Sequence, residues 1–203
     1  MGKIKSEPGL FRLWPALVMV VCFSMGGLLG CLLSASVSGE SAQQLEKYMC
    51  DYMLLAGAGG LSWSAASIFW NHGRWLLVCL VFGLTAFGVA GFPLLFGIRG
   101  FLLAFSIGCF VRFLDEAGLW ASLLLFGVPA LLWAPGFFLS GTIGLFSSGR
   151  HLRRRLGETN VLPISRHAVR SGVVVSAFLL IVCVVFECVF LPALLSWVAQ
   201  ILG

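Results

Sequence analysis

The sequence predicts an all-α membrane protein: a polytopic bundle of about five transmembrane helices with one short extracytoplasmic amphipathic helix. Of its 203 residues, 60% are hydrophobic and only 10% are charged, whereas a soluble domain carries about 25% charged residues. The apolar residues are also gathered into long runs, and a helix needs about 20 residues to cross a bilayer. We therefore interpret residues 1–203 as a single integral membrane domain.

The first predicted span covers residues 13–35 and follows a short basic leader. Its apolar run is longer than the 7–15 residues that are typical of a cleaved signal peptide, which favours an uncleaved helix. Residues 28–31, with the sequence Leu-Leu-Gly-Cys, resemble a lipobox in which Cys31 is lipidated after cleavage. Because the residues after Cys31 stay apolar, lipidation is kept only as an alternative.

Residues 36–74 form a predicted outer segment that begins with an amphipathic helix at 41–55. The apolar residues of this helix share one face; they are Leu45, Met49, Tyr52 and Met53. Trp63, Phe69 and Trp70 follow, and aromatic residues of this kind collect at the bilayer interface. The segment is expected to pack on the membrane surface, and it is also a candidate docking surface for a partner outside the cytoplasm.

The next two predicted spans, residues 75–97 and 100–114, form a hairpin with a tight turn at Arg99-Gly100. Glycines on both sides of Arg99 are typical of such a turn. The second span is short, about 22 Å at 1.5 Å per residue, so we expect it to be either re-entrant or tilted in a locally thinned bilayer.

The last two predicted spans are residues 118–146 and 172–199, joined by a basic loop at 147–171. Pro129 and Pro135 interrupt the first of them, and proline inside a membrane helix bends it and frees backbone groups that neighbouring helices must satisfy. This helix is therefore expected to be bent and buried against others.

The distribution of basic residues predicts the orientation, because cytoplasmic loops are enriched in Lys and Arg. A cytoplasmic N-terminus and an extracytoplasmic C-terminus place most of the 13 Lys and Arg residues inside, in a bacterial cell membrane. The basic loop can also attract anionic lipid headgroups, although we expect it mainly to enforce topology. Its first arginines are Arg150, Arg153, Arg154 and Arg155.

Small residues recur at every fourth position along three of the predicted helices. Such stripes let helix backbones approach closely, and in lipid the resulting van der Waals contact drives helix association. We expect most of them to serve packing within the chain, and one of them could meet a partner subunit. The residues are Gly26 and Gly30, then Gly100, Ala104 and Gly108, then Gly136, Ser140 and Gly144.

Glu187 is the only acidic residue well inside a predicted span, five residues before Pro192. An unpaired charge there is costly, so Glu187 is expected to be protonated or paired. A structural hydrogen bond near the Pro192 kink is the preferred role, and a proton or substrate relay is the alternative.

Catalytic and metal-binding motifs are not apparent. None of the seven cysteines forms a Cys-x-x-Cys pair, and the three histidines lie outside the apolar runs, so neither a disulfide framework nor a zinc site is predicted. No nucleophile elbow, His-Glu-x-x-His or P-loop sequence occurs. The expectation is a non-enzymatic protein without a cofactor, which contacts lipids and not nucleic acid.

The segment from Phe186 to Leu195, with Phe-Glu followed by Pro-x-Leu-Leu, and the hairpin broken by Gly83, Gly88 and Pro93 resemble the stage II sporulation protein M family of endospore-forming bacteria. This resemblance implies a membrane scaffold that assembles with stage II sporulation proteins D and P, which degrade peptidoglycan during engulfment of the forespore. One departure is Ala130-Leu131 after Pro129, where the family often has Gln-Asn. A divergent paralogue with another partner therefore stays open, as does a transporter subunit with Glu187 in a polar path.

Overall fold

The structure is a computed structural model that describes residues 10–57, 64–158 and 166–202. Within these residues it consists of α-helices and one five-residue π-helical segment, without strands. Most of the predicted basic leader, Trp63 and residues 159–165 of the predicted basic loop lie outside the described residues. The helices are α1 (Leu10–Ser36), α2 (Glu40–Gly57), α3 (Ala65–Leu84), α4 (Gly88–Ser122), α5 (Val128–Arg155) and α6 (Arg166–Leu202), with the π-helical segment at Leu123–Gly127.

Five stretches of the described chain are long and apolar enough to cross a membrane, which confirms the predicted fold class of an all-α polytopic bundle. Their outward side chains are large and apolar and remain exposed, as lipid-facing residues do; Leu17, Leu32, Leu80 and Val174 are examples. The five stretches are Trp14–Ser36, Ala65–Leu84, Gly88–Leu114, Gly118–Arg155 and Val169–Ala193.

The hairpin turn that was predicted at Arg99-Gly100 is wrong. The chain turns between Leu84 and Gly88, and α4 continues through residues 97–100 without interruption. The glycines there serve packing instead, because a Cβ atom at Gly100 would collide with the backbone of Phe23 in α1. The predicted spans 75–97 and 100–114 are accordingly replaced by Ala65–Leu84 and Gly88–Leu114, and the latter, at 27 residues, is about 40 Å long and needs no thinned bilayer.

The predicted outer segment, residues 36–74, is also shorter than expected because α3 begins at Ala65. Residues 65–74 belong to α3 rather than to a surface segment. The basic loop predicted at 147–171 is also shorter, since α5 extends to Arg155 and α6 begins at Arg166. Charged residues at the ends of these two helices were interpreted as loop residues, although a spanning helix can project beyond the hydrocarbon layer.

The chain reverses its direction within α4, at the polar stretch 112–116. A Cβ atom at Gly118 would meet the carbonyl group of Phe110, whereas residues eight positions apart in a straight helix are about 12 Å apart. The Phe110 and Phe126 rings also lie edge to face at 5.5 Å. The stretches Gly88–Leu114 and Gly118–Arg155 are therefore antiparallel neighbours.

The amphipathic helix predicted at 41–55 is confirmed as α2. Met49 is buried, and Leu45, Tyr52 and Met53 pack with it against Phe110 and Ala121 at one end of the bundle. Burial raises the pKa of the Tyr52 phenol above its ordinary value, with smaller contributions from Tyr48 and Glu187. Helix α2 thus covers one end of the bundle.

Helix α5 occupies the centre, where it packs against α1, α3, α4 and α6. Its core contacts are aromatic: the Phe137 ring stacks on Phe96 of α4 at 4.3 Å, and Trp133 meets Phe137 edge to face at 5.2 Å. The π-helical segment precedes Pro129, and such segments often occur at functional sites. The central helix and this irregularity both adjoin the polar cluster described next.

Candidate functional site

A buried histidine and a buried glutamate meet inside the bundle. His72 of α3 and Glu187 of α6 are 9% and 8% exposed, and their Nε2 and Oε1 atoms lie 2.6 Å apart. A charge inside a membrane protein is costly unless it is paired. The structure thus provides Glu187 with a partner, and that partner is a histidine from another helix rather than a group near Pro192, which lies further along α6.

Cys183 completes a group of three. It lies one turn before Glu187 on α6, and its Sγ atom is 3.4 Å from Glu187 Oε1 and 3.7 Å from the carbonyl oxygen of Pro129. One ligand-type atom from each of His72, Cys183 and Glu187 falls within 4.8 Å of the others, and all three residues are buried. An imidazole nitrogen, a thiol sulfur and a carboxylate oxygen so arranged can share protons or hold a metal ion.

Arg99, which was expected at a turn, lies inside the bundle between two tryptophans. Its guanidinium carbon is 4.9 Å from the ring centre of Trp75 and 4.4 Å from that of Trp133. Cations within about 6 Å of an aromatic face are attracted to it, and this attraction is stronger away from water. Trp133 also lies 6.3 Å from the His72 ring, ring centre to ring centre. Arg99 and the histidine–glutamate pair therefore share one polar environment.

A cavity of about 180 Å³ opens between these groups. Arg99, His72 and Glu187 line it together with Asn71 and Ser106, and its apolar lining includes Pro129 and Phe126. A second, much smaller cavity of about 10 Å³ borders His72, Trp75 and Arg99, which is about the room that one water molecule needs. Polar side chains of three helices therefore border a space inside the bundle.

The first two small-residue stripes lie opposite each other between α1 and α4. A Cβ atom at Gly26 would collide with the backbone of Gly97, and one at Gly30 with that of Phe101. Gly108 similarly lies against the side chain of Ser34, and Ala104 lies near Gly27. At the end of this contact, Arg112 donates hydrogen bonds of 2.7 Å to the carbonyl oxygens of Ser34 and Ala35.

The third stripe lies on α5 and faces two other helices. Gly136 adjoins the backbone of Ser176 in α6, and the Ser140 hydroxyl donates a 2.7 Å hydrogen bond to Ser176 Oγ. A Cβ atom at Gly83 of α3 would be 3.2 Å from Gly144 Cα. All three stripes therefore lie at helix contacts within the chain.

The predicted lipid-facing arginines lie at the end of α5. Arg153, Arg154 and Arg155 occupy its last turn, where positive charge is favourable, and they are exposed. Arg153 Nε is 4.0 Å from Glu158 Oε2, a contact too exposed to contribute much. These residues are far along α5 from Trp133 and form no part of the polar cluster.

Sequence reasoning found Glu187 but missed His72, Cys183 and Arg99. The sequence places His72 in the predicted outer segment and Cys183 inside an apolar run, and nothing in it indicates that the two side chains meet. The spacing of four between Cys183 and Glu187 places both on one helix face. That spacing is the one feature of the sequence that indicates a contact between Cys183 and Glu187.

Comparison with protein families gives one match: the family described as stage II sporulation protein M matches residues 19–192 of the chain. Comparison with curated proteins and with solved structures gives no match.

Proposed function

This chain belongs to the stage II sporulation protein M family, and we propose that it is a non-enzymatic scaffold that anchors and organises peptidoglycan-degrading proteins during forespore engulfment. At the coarser level it is a multi-pass membrane protein associated with sporulation. The observation that carries the proposal is the family match over residues 19–192, which covers all five membrane-crossing stretches except residues 14–18 of the first and Ala193 at the end of the last. The proposed partners are membrane-anchored hydrolases of the stage II sporulation protein D and P type.

Helix α2 supports this proposal because it offers a surface outside the lipid. One face packs on the bundle through Met49, while Tyr48, Glu46 and Lys47, which lie beside or opposite that face, are exposed. Leu54 is also 71% exposed at the end of this helix. A mixed polar and apolar surface that is fixed to the bundle suits a protein partner.

Capture of the tagged chain in mild detergent from sporulating cells tests the scaffold role. We expect peptidoglycan hydrolases to co-purify, and the double substitution Tyr48→Ser and Leu54→Ser to reduce their recovery at least several-fold. The matched control is Leu32→Ser on the exposed, lipid-facing side of α1, which should leave recovery unchanged. Recovery of no hydrolase with the unsubstituted chain contradicts the proposal.

The proposal requires α2 outside the cytoplasm. Cys50 provides a test because it is exposed on α2. With Cys50 as the only cysteine, a membrane-impermeant thiol reagent should label intact cells whose outer layers have been made permeable to it. Labelling only after the cell membrane is broken would reverse the orientation and exclude extracytoplasmic partners for α2.

A transporter or permease subunit is the second candidate, because the cavity lined by Arg99, His72 and Glu187 is a polar space inside the bundle. If the chain carries a substrate, Glu187→Gln should abolish flux in vesicles while the bundle stays folded. In a scaffold the same substitution should alter stability or assembly alone. Substrate accumulation by vesicles that contain the unsubstituted chain would favour transport.

A further inference from the structure

We propose that His72, Cys183 and Glu187 form a binding site for one divalent transition-metal ion, and that zinc is the metal which fits their donor atoms best. The site joins α3 to α6 within the bundle. This inference does not depend on the scaffold role, since it follows from the three side chains and their surroundings alone.

The positions of the donor atoms suit a single ion. Zinc binds imidazole nitrogen and carboxylate oxygen at about 2.0–2.2 Å and thiolate sulfur at about 2.3 Å, usually in a tetrahedron, so its ligand atoms lie about 3.3–3.8 Å from one another. The Cys183 Sγ to Glu187 Oε1 distance of 3.4 Å already falls in this range. The 2.6 Å contact between His72 and Glu187 must widen by about 1 Å, and the longest spacing among the three donor atoms, within 4.8 Å, must narrow by a similar amount.

The donor set selects the class of metal. Magnesium and calcium prefer oxygen ligands, whereas sulfur and imidazole together favour zinc and related transition metals. Binding converts the Cys183 thiol to a thiolate and releases its proton. One dication, one thiolate and one carboxylate then sum to zero charge, which lowers the cost of burial inside a membrane protein.

Arg99 makes both anionic ligands necessary. Arg99 lines the same cavity as His72 and Glu187, and its positive charge would repel a dication held by neutral ligands. Thiolate and carboxylate together cancel the charge of the ion, and the faces of Trp75 and Trp133 stabilise the remaining charge on Arg99. Because the donor set includes sulfur and imidazole, cobalt and zinc should bind far more tightly than magnesium.

The surroundings supply the rest of the coordination. The cavity of about 180 Å³ borders His72 and Glu187 and provides room for a water molecule or small anion as the fourth ligand. A metal-bound histidine normally donates the hydrogen of its second ring nitrogen to an acceptor such as water. The neighbouring cavity of about 10 Å³, also lined by His72, has room for that water.

Cobalt substitution of the full chain in detergent provides the test. After treatment with a chelator, titration with Co²⁺ should give one ion per chain and the near-ultraviolet charge-transfer absorption of a cobalt–thiolate bond, and Zn²⁺ should displace it. Cys183→Ala should remove this absorption. Cys188→Ala is the matched control on the same helix and should retain it. Absorption that is missing in the unsubstituted chain, or that persists in Cys183→Ala, overturns the proposal.

Two further measurements distinguish loss of the metal site from misfolding of a variant. Zinc should raise the thermal unfolding temperature of the unsubstituted chain and of Cys188→Ala but not that of Cys183→Ala, while His72→Ala should weaken zinc binding at least tenfold. X-ray absorption at the zinc edge, recorded on the unsubstituted chain, should show one sulfur and otherwise nitrogen or oxygen ligands. A coordination shell without sulfur overturns the assignment whatever the variants do.

Discussion

Helices α1 and α4 touch through glycine, whereas α3 and α6 are joined by a histidine, a cysteine and a glutamate. At the first contact, the backbone at Gly26 lies against that of Gly97 with no room for a side chain. At the second, His72 and Glu187 form a 2.6 Å contact beside a polar cavity. The two regions lie in the same bundle and hold it by different means.

The difference follows from lipid as a solvent. Lipid tails are as apolar as leucine side chains, so helices gain little from burying apolar groups, and close backbone contact supplies dispersion energy instead. That contact needs only small residues at a regular spacing. A buried pair such as His72 and Glu187 contributes little net stability, whereas the loss of one of its two members is costly.

Breaking the polar pair should give the largest effect. Glu187→Leu leaves His72 buried without its acidic partner, and removal of one member of a buried pair costs about 3–5 kcal/mol of stability. Replacing both residues, as His72→Leu with Glu187→Leu, should restore most of this loss. Unfolding of all variants in mixed detergent measures the coupling between the two side chains.

The size of this coupling shows how far the histidine–glutamate contact differs from an ordinary hydrogen bond between helices. Neutral hydrogen bonds between membrane helices average about 0.6 kcal/mol. A coupling of that size would show that His72 and Glu187 form an ordinary hydrogen bond, and the polar region would then differ little from the Ser140–Ser176 contact between α5 and α6.

Widening the glycine contact should give the next largest effect. Gly26→Ala places a methyl group on the backbone of Gly97, so α1 and α4 must separate, at a cost of about 1–3 kcal/mol. Gly27→Ala is the matched control, because its Cβ atom meets its nearest neighbours at 3.8 Å, an ordinary contact. Thermal unfolding should separate the two variants, and equal stabilities would contradict the close approach of α1 and α4.

Replacing the stacked arginine should have a smaller effect. Arg99→Lys keeps the charge but loses the planar group between Trp75 and Trp133, which should cost about 1–2 kcal/mol. Arg74→Lys is the control, since Arg74 is exposed and its guanidinium carbon lies 5.9 Å from the Trp75 ring centre. Tryptophan fluorescence during unfolding measures the stability of both variants. An Arg99→Lys variant as stable as the unsubstituted chain would exclude stacking as a stabilising contact.

The smallest effect is expected where α1 ends. Arg112→Met removes the two hydrogen bonds to Ser34 and Ala35, and because these are partly exposed the loss should be about 1 kcal/mol. Arg154→Met, at an exposed site on α5, should be neutral within about 0.5 kcal/mol. Limited proteolysis between α1 and α2 should become faster in Arg112→Met alone. Unchanged cleavage would show that Arg112 does not fix this end of the glycine contact.

Patterns within one segment made much of this fold predictable from sequence. Apolar runs indicated the membrane helices, and the shared face of Leu45 and Met49 indicated α2. The position of the hairpin was mistaken because glycines at 97 and 100 suit a turn and a helix contact equally well. A turn and a helix contact differ here only in whether α1 packs against these glycines. No local sequence pattern predicts where α1 lies.

The polar cluster could not be predicted in the same way. His72 and Glu187 are 115 residues apart in sequence, and their meeting depends on how α3 and α6 pack. The polar residues around His72 suggested the edge of a membrane span, although α3 continues past them. The sequence identified Glu187 as in need of a partner but contained no periodic signal that pointed to His72.

Complementation of a deletion strain tests the scaffold role most directly. Without the chain, we predict that engulfment stalls and the peptidoglycan hydrolases are mislocalised. We expect both the unsubstituted chain and the His72→Leu, Glu187→Leu double variant to restore them, because a scaffold needs the folded bundle and not its polar interior. Normal engulfment without the chain, with every hydrolase in place, would contradict the account; rescue by the unsubstituted chain alone would favour a function inside the cavity.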